Sequence, residues 1–297
     1  MKPFLTVQNI ISELHKFWQN QGCIILQPID LEVGAGSFHP DTFFRAIGPE
    51  PWKAAFVQPS RRPIDSRYGS HPNRNQHYYQ YQVILKPNPK DIQDLYIKSL
   101  KKLHIFSNEN DIRFIEDNWE SPSIGAWGIG WEVWLNGMEV TQFTYFQQMG
   151  GLECNPVMGE ITYGLERIAM YVQKQQSINK LYWSNNLKYE DIFIQREQEM
   201  SKYNLEIANQ KLLVNKFNYL EKECTNAIKN KLPYPSYEII IKLSHIFNLL
   251  DSRSALSTIE RQHFIYRIRS LSSIVANLYY NIRNKINFPL LTNFKEK

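Results

Sequence analysis

Four arginines, Arg61, Arg62, Arg67 and Arg74, lie within or beside one short stretch. Guanidinium groups grip phosphate oxygens bidentately and keep their charge inside a cleft. The stretch links two strand-like runs, residues 54–57 and 78–85, through a polar arm, residues 60–76, rich in Arg, Gly, Pro and Asn. An arm hinged on two antiparallel strands can close over an extended polyphosphate; a solvated basic loop is the other reading of the same composition. Arg74 and Tyr78 stand four apart, so on a strand they share a face. Arg74 can then hold a terminal phosphate while Tyr78 stacks on a base.

A second group is acidic. Asn136-Gly137, between Trp134-Leu135 and Met138-Glu139, predicts a type I′ hairpin. Strict pairing sets Leu135 opposite Met138, Trp134 opposite Glu139 and Glu132 opposite Thr141. Glu132 and Glu139 then lie diagonally on one face, about 7–8 Å apart. At that reach two carboxylates can share Mg²⁺, which prefers few carboxylates plus phosphate oxygens and water. Two exposed glutamates on a solvated face are the competing reading.

A third group closes Gly159-Glu-Ile-Thr-Tyr-Gly164-Leu-Glu-Arg167. Its glycine spacing begins like a P-loop, but no Lys-Ser/Thr follows, which excludes Walker chemistry. Arg167 falls in the first turn of a helix entered from Gly164, where its charge opposes the macrodipole. An anionic ligand would offset that cost. Three other patterns carry nothing. Gly125-x-x-Gly128-x-Gly130 has the dinucleotide fingerprint reversed and no βαβ unit around it. Met200-Ser201-Lys202 resembles a piece of the class I synthetase lysine loop but lies in a helical stretch, and the seven histidines are scattered with no metal spacing.

The elements that must position these groups are legible in outline. Val7, Ile10, Leu14 and Phe17/Trp18 repeat at helical spacing until Gly22, and residues 23–26 form a short apolar strand. Asn88-Pro89 reads as N-cap and N1 of a helix carrying Ile92, Leu95, Ser99 and Leu103 on one face. Residues 112–148 are β-like, interrupted by the Gly/Trp-rich segment 125–130. Beyond residue 184 glycines vanish and helical stripes take over. The longest is Phe264, Ile268, Leu271, Val275, Leu278 and Ile282, opened by the capping box Ser257-x-x-Glu260. Strands do not alternate with helices, so the expected class is α+β, with domains at 1–180 and 181–297.

Composition sets the outer limits. The chain has 297 residues, 43% hydrophobic and 21% charged, with a net charge of +5. Disordered, collagenous and disulfide-scaffold classes are excluded. The charge is compatible with a polyanionic partner without requiring one. Cys23, Cys154 and Cys224 are odd in number and form no metal motif, so free thiols in a reducing compartment are expected. No signal peptide and no apolar run long enough to span a membrane is visible, and the expected location is the cytoplasm.

Taken together, the three groups resemble the motifs of class II aminoacyl-tRNA synthetases. Longer strings resemble the α subunit family of bacterial heterotetrameric glycyl-tRNA synthetases. These are Val33-Gly-Ala-Gly-Ser-Phe-His-Pro40, Val57-Gln-Pro-Ser-Arg-Arg-Pro63, Asn73-Arg-Asn-Gln-His-Tyr-Tyr79, the run from Gly130 to Gln148, and Gly159 through Arg167. The resemblance is strong through residue 175 and continues into the helical tail, as in Thr258-x-Glu-Arg-Gln262. It implies a six-stranded antiparallel class II sheet flanked by helices, followed by an all-helical C-terminal domain. It also implies an α homodimer within a heterotetramer, a separate β subunit carrying most tRNA recognition, and formation of glycyl-adenylate from glycine and ATP before transfer to tRNA(Gly). By the same resemblance Arg61 or Arg62 holds the α-phosphate, Arg74 meets the γ-phosphate, Tyr78 stacks on adenine, and Arg167 covers the other ring face or the terminal phosphate. Glu132 and Glu139 match an acidic pair for Mg²⁺. A looser resemblance to alanyl-tRNA synthetases puts Glu160 on the substrate ammonium, with Thr162 filling the space of a β-methyl and Gln80, Gln142 and Thr144 as further polar contacts. Gln142 and Thr144 reach the face of Glu139 only if a bulge intervenes. The motif 2 acid that should follow its arginine is not obvious; Asp65 is the nearest. Two rivals keep other ends open: a stand-alone adenylate-forming enzyme, and a non-catalytic RNA-binding subunit. The basic residues Arg261, Arg267, Arg269 and Arg283 of the last long helix either dock a partner or are solvated.

Overall fold

The computed structural model describes residues 5–293. Helix α1 (Val7–Asn20) opens with a reciprocal cap: the Asn9 N–H donates to Thr6 Oγ1 at 3.2 Å, and the Thr6 N–H donates to Asn9 Oδ1 at 3.2 Å. The predicted stripe Val7, Ile10, Leu14, Phe17 and Trp18 is its buried side. Gly22, at φ 83°, turns the chain out of the helix into β1 (Ile24–Ile25). After a short turn, Gly36–Phe38, helix α2 (Pro40–Ala46) begins with Pro40 in its first turn. Strands β2 (Trp52–Arg61) and β3 (His77–Lys86) then pair antiparallel along their whole length. Strand β1 runs parallel to β2 but meets only Ala54 and Ala55. The rest of β2 is therefore an edge, where Pro59 and its missing N–H are tolerated.

Helix α3 (Ile92–Lys102) starts later than Asn88-Pro89 predicts. Asp91 takes the N-cap position, while the Asn88 N–H donates to the Val157 carbonyl at 2.9 Å and the Asn88 side chain lies against Gly159. Strands β4 (Ile112–Glu116), β5 (Trp119–Ser121), β6 (Ala126–Leu135), β7 (Met138–Met149) and β8 (Leu152–Gly164) complete one sheet of eight strands, two more than the resemblance implies. Its order is β1-β2-β3-β8-β7-β6-β4, with β5 also paired to β6. The stretch 125–130, read as an interruption, lies almost wholly inside β6. Its glycines serve close approach rather than a break, since a Cβ on Gly130 would run into the Phe143 carbonyl.

The β6–β7 hairpin has the expected turn, with Asn136 and Gly137 at φ 49° and 84°. Leu135 faces Met138 and Trp134 faces Glu139, as predicted, but Glu132 faces Gln142, not Thr141. Val140 is the extra residue of a β-bulge. Val140 is buried in the same apolar core as Tyr96, and the Tyr96 hydroxyl donates to Thr141 Oγ1 at 2.8 Å, so two consecutive side chains turn to one side.

Helix α4 (Leu165–Val172) follows β8 directly from Gly164. The rest is helical: α5 (Tyr189–Lys202) with a π-turn, Tyr203–Ile207, then α6 (Gln210–Lys229), α7 (Pro233–Ser252), α8 (Thr258–Lys285) and α9 (Leu290–Asn293). The capping box at Ser257 and Glu260 is present. Tyr279, rather than Leu278 or Ile282, continues the buried stripe of α8, because a seven-residue repeat drifts against 3.6 residues per turn over so long a helix.

Each side of the sheet has its own core. Ala55, Tyr81, Val83, Val133, Phe143 and Ile161 join α1, α3 and α4 on one side. Phe56, Ile84, Phe146 and Met158 on the other side join Phe43 and Phe44 of α2, Tyr237 and Phe247 of α7, and Val275 of α8. The basic residues of α8 are largely spent inside the chain. Arg283 Nε donates to Glu50 Oε2 at 2.8 Å, Arg267 Nε to Glu221 Oε1 at 2.9 Å, and Arg261 Nε to Asp251 Oδ1 at 3.0 Å. The three cysteines are free and buried. Among the described residues no helix is long and apolar enough to cross a membrane.

Candidate active site

Sheet register decides which side chains meet. Glu132, Gln142, Thr162 and Gln82 are successive partners across β6, β7, β8 and β3, and Thr144, Glu160 and Ile84 form the neighbouring row. Partners share a face, as do residues two apart. Gln80, Gln82, Gln142, Thr144, Glu132, Glu160 and Thr162 therefore lie on one side of the sheet. The Val140 bulge adds Glu139 to that side, which meets the condition the sequence imposed on Gln142 and Thr144.

Above this face lies a cavity of about 390 Å³. Eight residues singled out from the sequence line it: Arg62, Arg74, Tyr78, Gln80, Glu139, Gln142, Thr162 and Arg167. Arg61, Glu132, Thr144 and Glu160 are not in its wall. Arg61 reaches instead toward Glu32, with Nη1 3.8 Å from Oε1. Arg62 is fixed at the rim: its Nε donates to the Gly34 carbonyl at 3.0 Å, and its guanidinium sits 5.1 Å over the Tyr78 ring. The Tyr78 hydroxyl donates to the same carbonyl at 2.9 Å, and burial pushes its pKa up to about 12. Arg74 lies 3.5 Å from Asp65, which also lines the cavity. Arg167, in the first turn of α4, donates to both the backbone oxygen and Oε2 of Glu139, at 2.9 and 2.8 Å.

The arm is pinned rather than loose. The Tyr68 N–H donates to Ser201 Oγ at 3.1 Å, the Gln76 N–H to Glu197 Oε1 at 2.7 Å, and Asn179 Nδ2 to the Gly69 carbonyl at 2.9 Å. Ser201, dismissed with its lysine neighbour on sequence grounds, thus supports the arm.

Two buried carboxyls differ sharply. Glu166 Oε1 accepts from the Tyr79 N–H at 2.8 Å and the Tyr189 hydroxyl at 3.2 Å. Glu160 is 1% exposed; its Oε2 accepts from the Ser37 hydroxyl at 2.8 Å, and its Oε1 has no partner. Burial raises both pKa values to about 7, against the hydrogen bonds that lower them. The Nε2 of Gln82 beside it is also buried without a partner. Sequence reasoning gave no role to Ser37, Gly36 or Glu166. Gly36 brings its N–H to Gln80 Oε1 at 2.9 Å, and a Cβ there would lie 2.7 Å from the Gln82 amide. The only sequence signal for that approach was the Gly-x-Gly spacing at 34–36.

Among the described residues no group of three or more His, Cys, Asp or Glu could hold a metal by itself. Glu132 Oε2 accepts from the Trp134 indole at 2.9 Å and Glu139 Oε2 from Arg167, so each carboxylate has one oxygen engaged. Such a pair suits Mg²⁺ that arrives with a polyphosphate and takes its remaining ligands from phosphate and water.

Two solved structures of a pyrrolysyl-tRNA synthetase from Desulfitobacterium hafniense are similar to this chain at 11% identity. Both cover 61% of it, and 74% and 75% of their own chains, with TM-scores of 0.44 and 0.43. The family model of the glycyl-tRNA synthetase alpha subunit matches residues 7–284, and the chain belongs to that family of aminoacyl-tRNA ligases.

Proposed function

We propose that this chain activates glycine with ATP and, with a separate β subunit, delivers glycine to the 3′ end of tRNA(Gly). The observation that carries this reading is the free oxygen of Glu160, buried on the sheet face beneath a cavity walled by Arg62, Arg74 and Arg167. A carboxyl that ionises at about 7, under walls that hold three guanidiniums, suits two reactants, one ending in an ammonium and the other in a polyphosphate.

In the first step a glycine carboxylate oxygen attacks the α-phosphorus of ATP. The bond from that phosphorus to the β-phosphate oxygen breaks, and pyrophosphate leaves with the electron pair. Arg62 steadies the α-phosphate; its place in the cavity wall favours it over Arg61. Arg74 takes the terminal phosphate, Tyr78 stacks on adenine, and Arg167 covers the opposite ring face or the terminal phosphate. Asp65 and Glu139 hold the last two guanidiniums in position before the substrate arrives, which spares reorganisation during reaction. Mg²⁺ held by Glu132 and Glu139 would neutralise phosphate charge. Glu160 receives the ammonium. Thr162, hydrogen-bonded to Gln82 at 3.0 Å, fills the space of a β-methyl. A clash is needed there, since attraction alone separates substrates by only about 1–3 kcal/mol per methylene. Gln80, Gln142 and Thr144 complete the polar wall. In the second step a ribose hydroxyl of the tRNA attacks the glycyl carbonyl carbon, an ester bond forms, and AMP departs with the electrons of the anhydride bond.

Glu160→Ala is expected to abolish glycine-dependent ATP–pyrophosphate exchange, with Glu160→Gln as the variant that preserves shape. Near-normal exchange in both would remove Glu160 from the site. Recovery of a large co-encoded partner with the tagged chain, followed by charging of purified tRNA, separates the two-subunit enzyme from a stand-alone adenylate former.

A further inference from the structure

Three side chains on one face of α5 and its π-turn are polar and buried: Glu197, Ser201 and Asn204, at 3%, 0% and 1% exposure. Spaced four and three apart, they form one stripe. Helices usually bury apolar residues in such a stripe, and a buried carboxylate is costly unless it is hydrogen-bonded.

The stripe meets both legs of the arm. On the outgoing leg, the Tyr68 N–H donates to Ser201 Oγ at 3.1 Å, and Asn204 Nδ2 donates to Ser66 Oγ at 3.1 Å. On the returning leg, Glu197 takes three donors. The Gln76 N–H meets Oε1 at 2.7 Å, and Gln76 Nε2 and the His77 N–H meet Oε2 at 3.3 and 3.4 Å. Asn204 Nδ2 also reaches Gln76 Oε1 at 3.4 Å, and the Gln76 carbonyl accepts from the Arg62 N–H at 2.7 Å. Every polar group of Gln76 is thus engaged. Arg74 lies two residues before this node, Tyr78 two after it, and Arg62 is bonded to it; all three line the cavity. A carboxylate that grips N–H groups is a charge-assisted anchor with a fixed direction. Displacing reacting groups by about 1 Å costs on the order of 10²-fold in rate, so groups that grip a nucleotide need such support.

We propose that Glu197 is a positioning residue for ATP: through Gln76 and His77 it holds Arg62, Arg74 and Tyr78 at the spacing of a bound nucleotide. This rests on the function proposed above. Glu197 is not in the cavity wall, so it acts through the arm rather than on the substrate.

The test uses the full enzyme with its partner subunit, read by glycine-dependent ATP–pyrophosphate exchange. Glu197→Ala is expected to raise the KM for ATP about 10- to 100-fold while the KM for glycine stays within about twofold. Glu197→Gln, which keeps one acceptor, is expected to fall between. Combined with Arg74→Ala, the effect is expected to be well below the product of the two single effects, because both act on one contact. Limited trypsin digestion, cutting after Arg67 and Arg74, reads the arm directly: cleavage is expected to quicken in Glu197→Ala and to slow when ATP is added. Ser201→Ala loses a single bond and is expected to raise the KM for ATP about threefold, which keeps the test decisive should Glu197→Ala fail to fold. An unchanged KM for ATP in these variants, a parallel rise in the KM for glycine, or full multiplication with Arg74→Ala would each overturn the proposal. Absence of exchange in the wild-type enzyme would instead defeat the underlying function, so the two failures are distinguishable.

Discussion

On the side covered by α1, α3 and α4, the strands present Ala55, Val83, Val133, Phe143 and Ile161, all essentially without exposure. On the other side, one residue along the same strands, stand Gln58, Gln80, Gln82, Gln142, Thr144, Glu160 and Thr162. Most of those side chains are also buried, yet Gln82 Nε2 and Glu160 Oε1 lack partners. Burying an apolar side chain stabilises a fold, whereas burying an unpartnered polar atom costs about 1–3 kcal/mol. The first side therefore supplies stability alone, while the second, beside its own apolar core, carries a standing cost that a ligand can relieve.

The comparison can be broken by substitutions on either side. Phe143→Ala is expected to cost about 3–5 kcal/mol of stability, read by chemical denaturation, with exchange activity per folded molecule unchanged. Lost catalysis with intact stability would erase the distinction. Arg62→Ala is expected to do the reverse, lowering the exchange rate by about 10²–10³ as removal of one preorganised charge donor does, with the melting temperature held. Arg61→Ala, removing the guanidinium near Glu32, is expected to stay within about threefold, since an exposed ion pair contributes little.

Proton linkage sharpens the contrast between the two buried carboxyls. Burial raises Glu160 to about 7. Its folded-state value thus exceeds the ordinary carboxylate value, so ionising it lowers fold stability as pH climbs from the usual carboxylate range through 7. A substrate ammonium reverses that cost, because only the ionised form pairs with it. The glycine KM in exchange is therefore expected to rise about tenfold per unit as pH drops below 7. Glu160→Gln is expected to flatten the profile. Glu166 sits at a similar value but has its partners within the chain, so Glu166→Gln is expected to leave the inflexion in place, the smallest of these effects.

The outline of this arrangement was legible in residue types and spacing. Arg62, Arg74, Tyr78 and Arg167 stand out because guanidiniums suit phosphates and an aromatic face suits a base, whereas Glu160 and Thr162 stand out only by the looser resemblance. What alternation could not supply was the Val140 bulge, which depends on how two strands pack rather than on either strand. Ser37 escaped notice for a similar reason: its contact with Glu160 spans 123 positions and is made by a loop with no repeat to betray it. That Arg62 rather than Arg61 lines the cavity also needed coordinates, since adjacent residues of one type differ only in direction.

The unpaired Val140 gives the hairpin an arithmetic of its own. Losing that one residue would restore regular pairing and keep the turn, and Gln142, then two positions from Glu139, would stay on its side. A single deletion elsewhere on β7 would instead turn every later side chain over, so only a bulge can absorb a one-residue change. Among relatives of this chain, single-residue gaps inside the segment from Met138 to Met149 should fall at bulged positions such as Val140 rather than in the regular ladder.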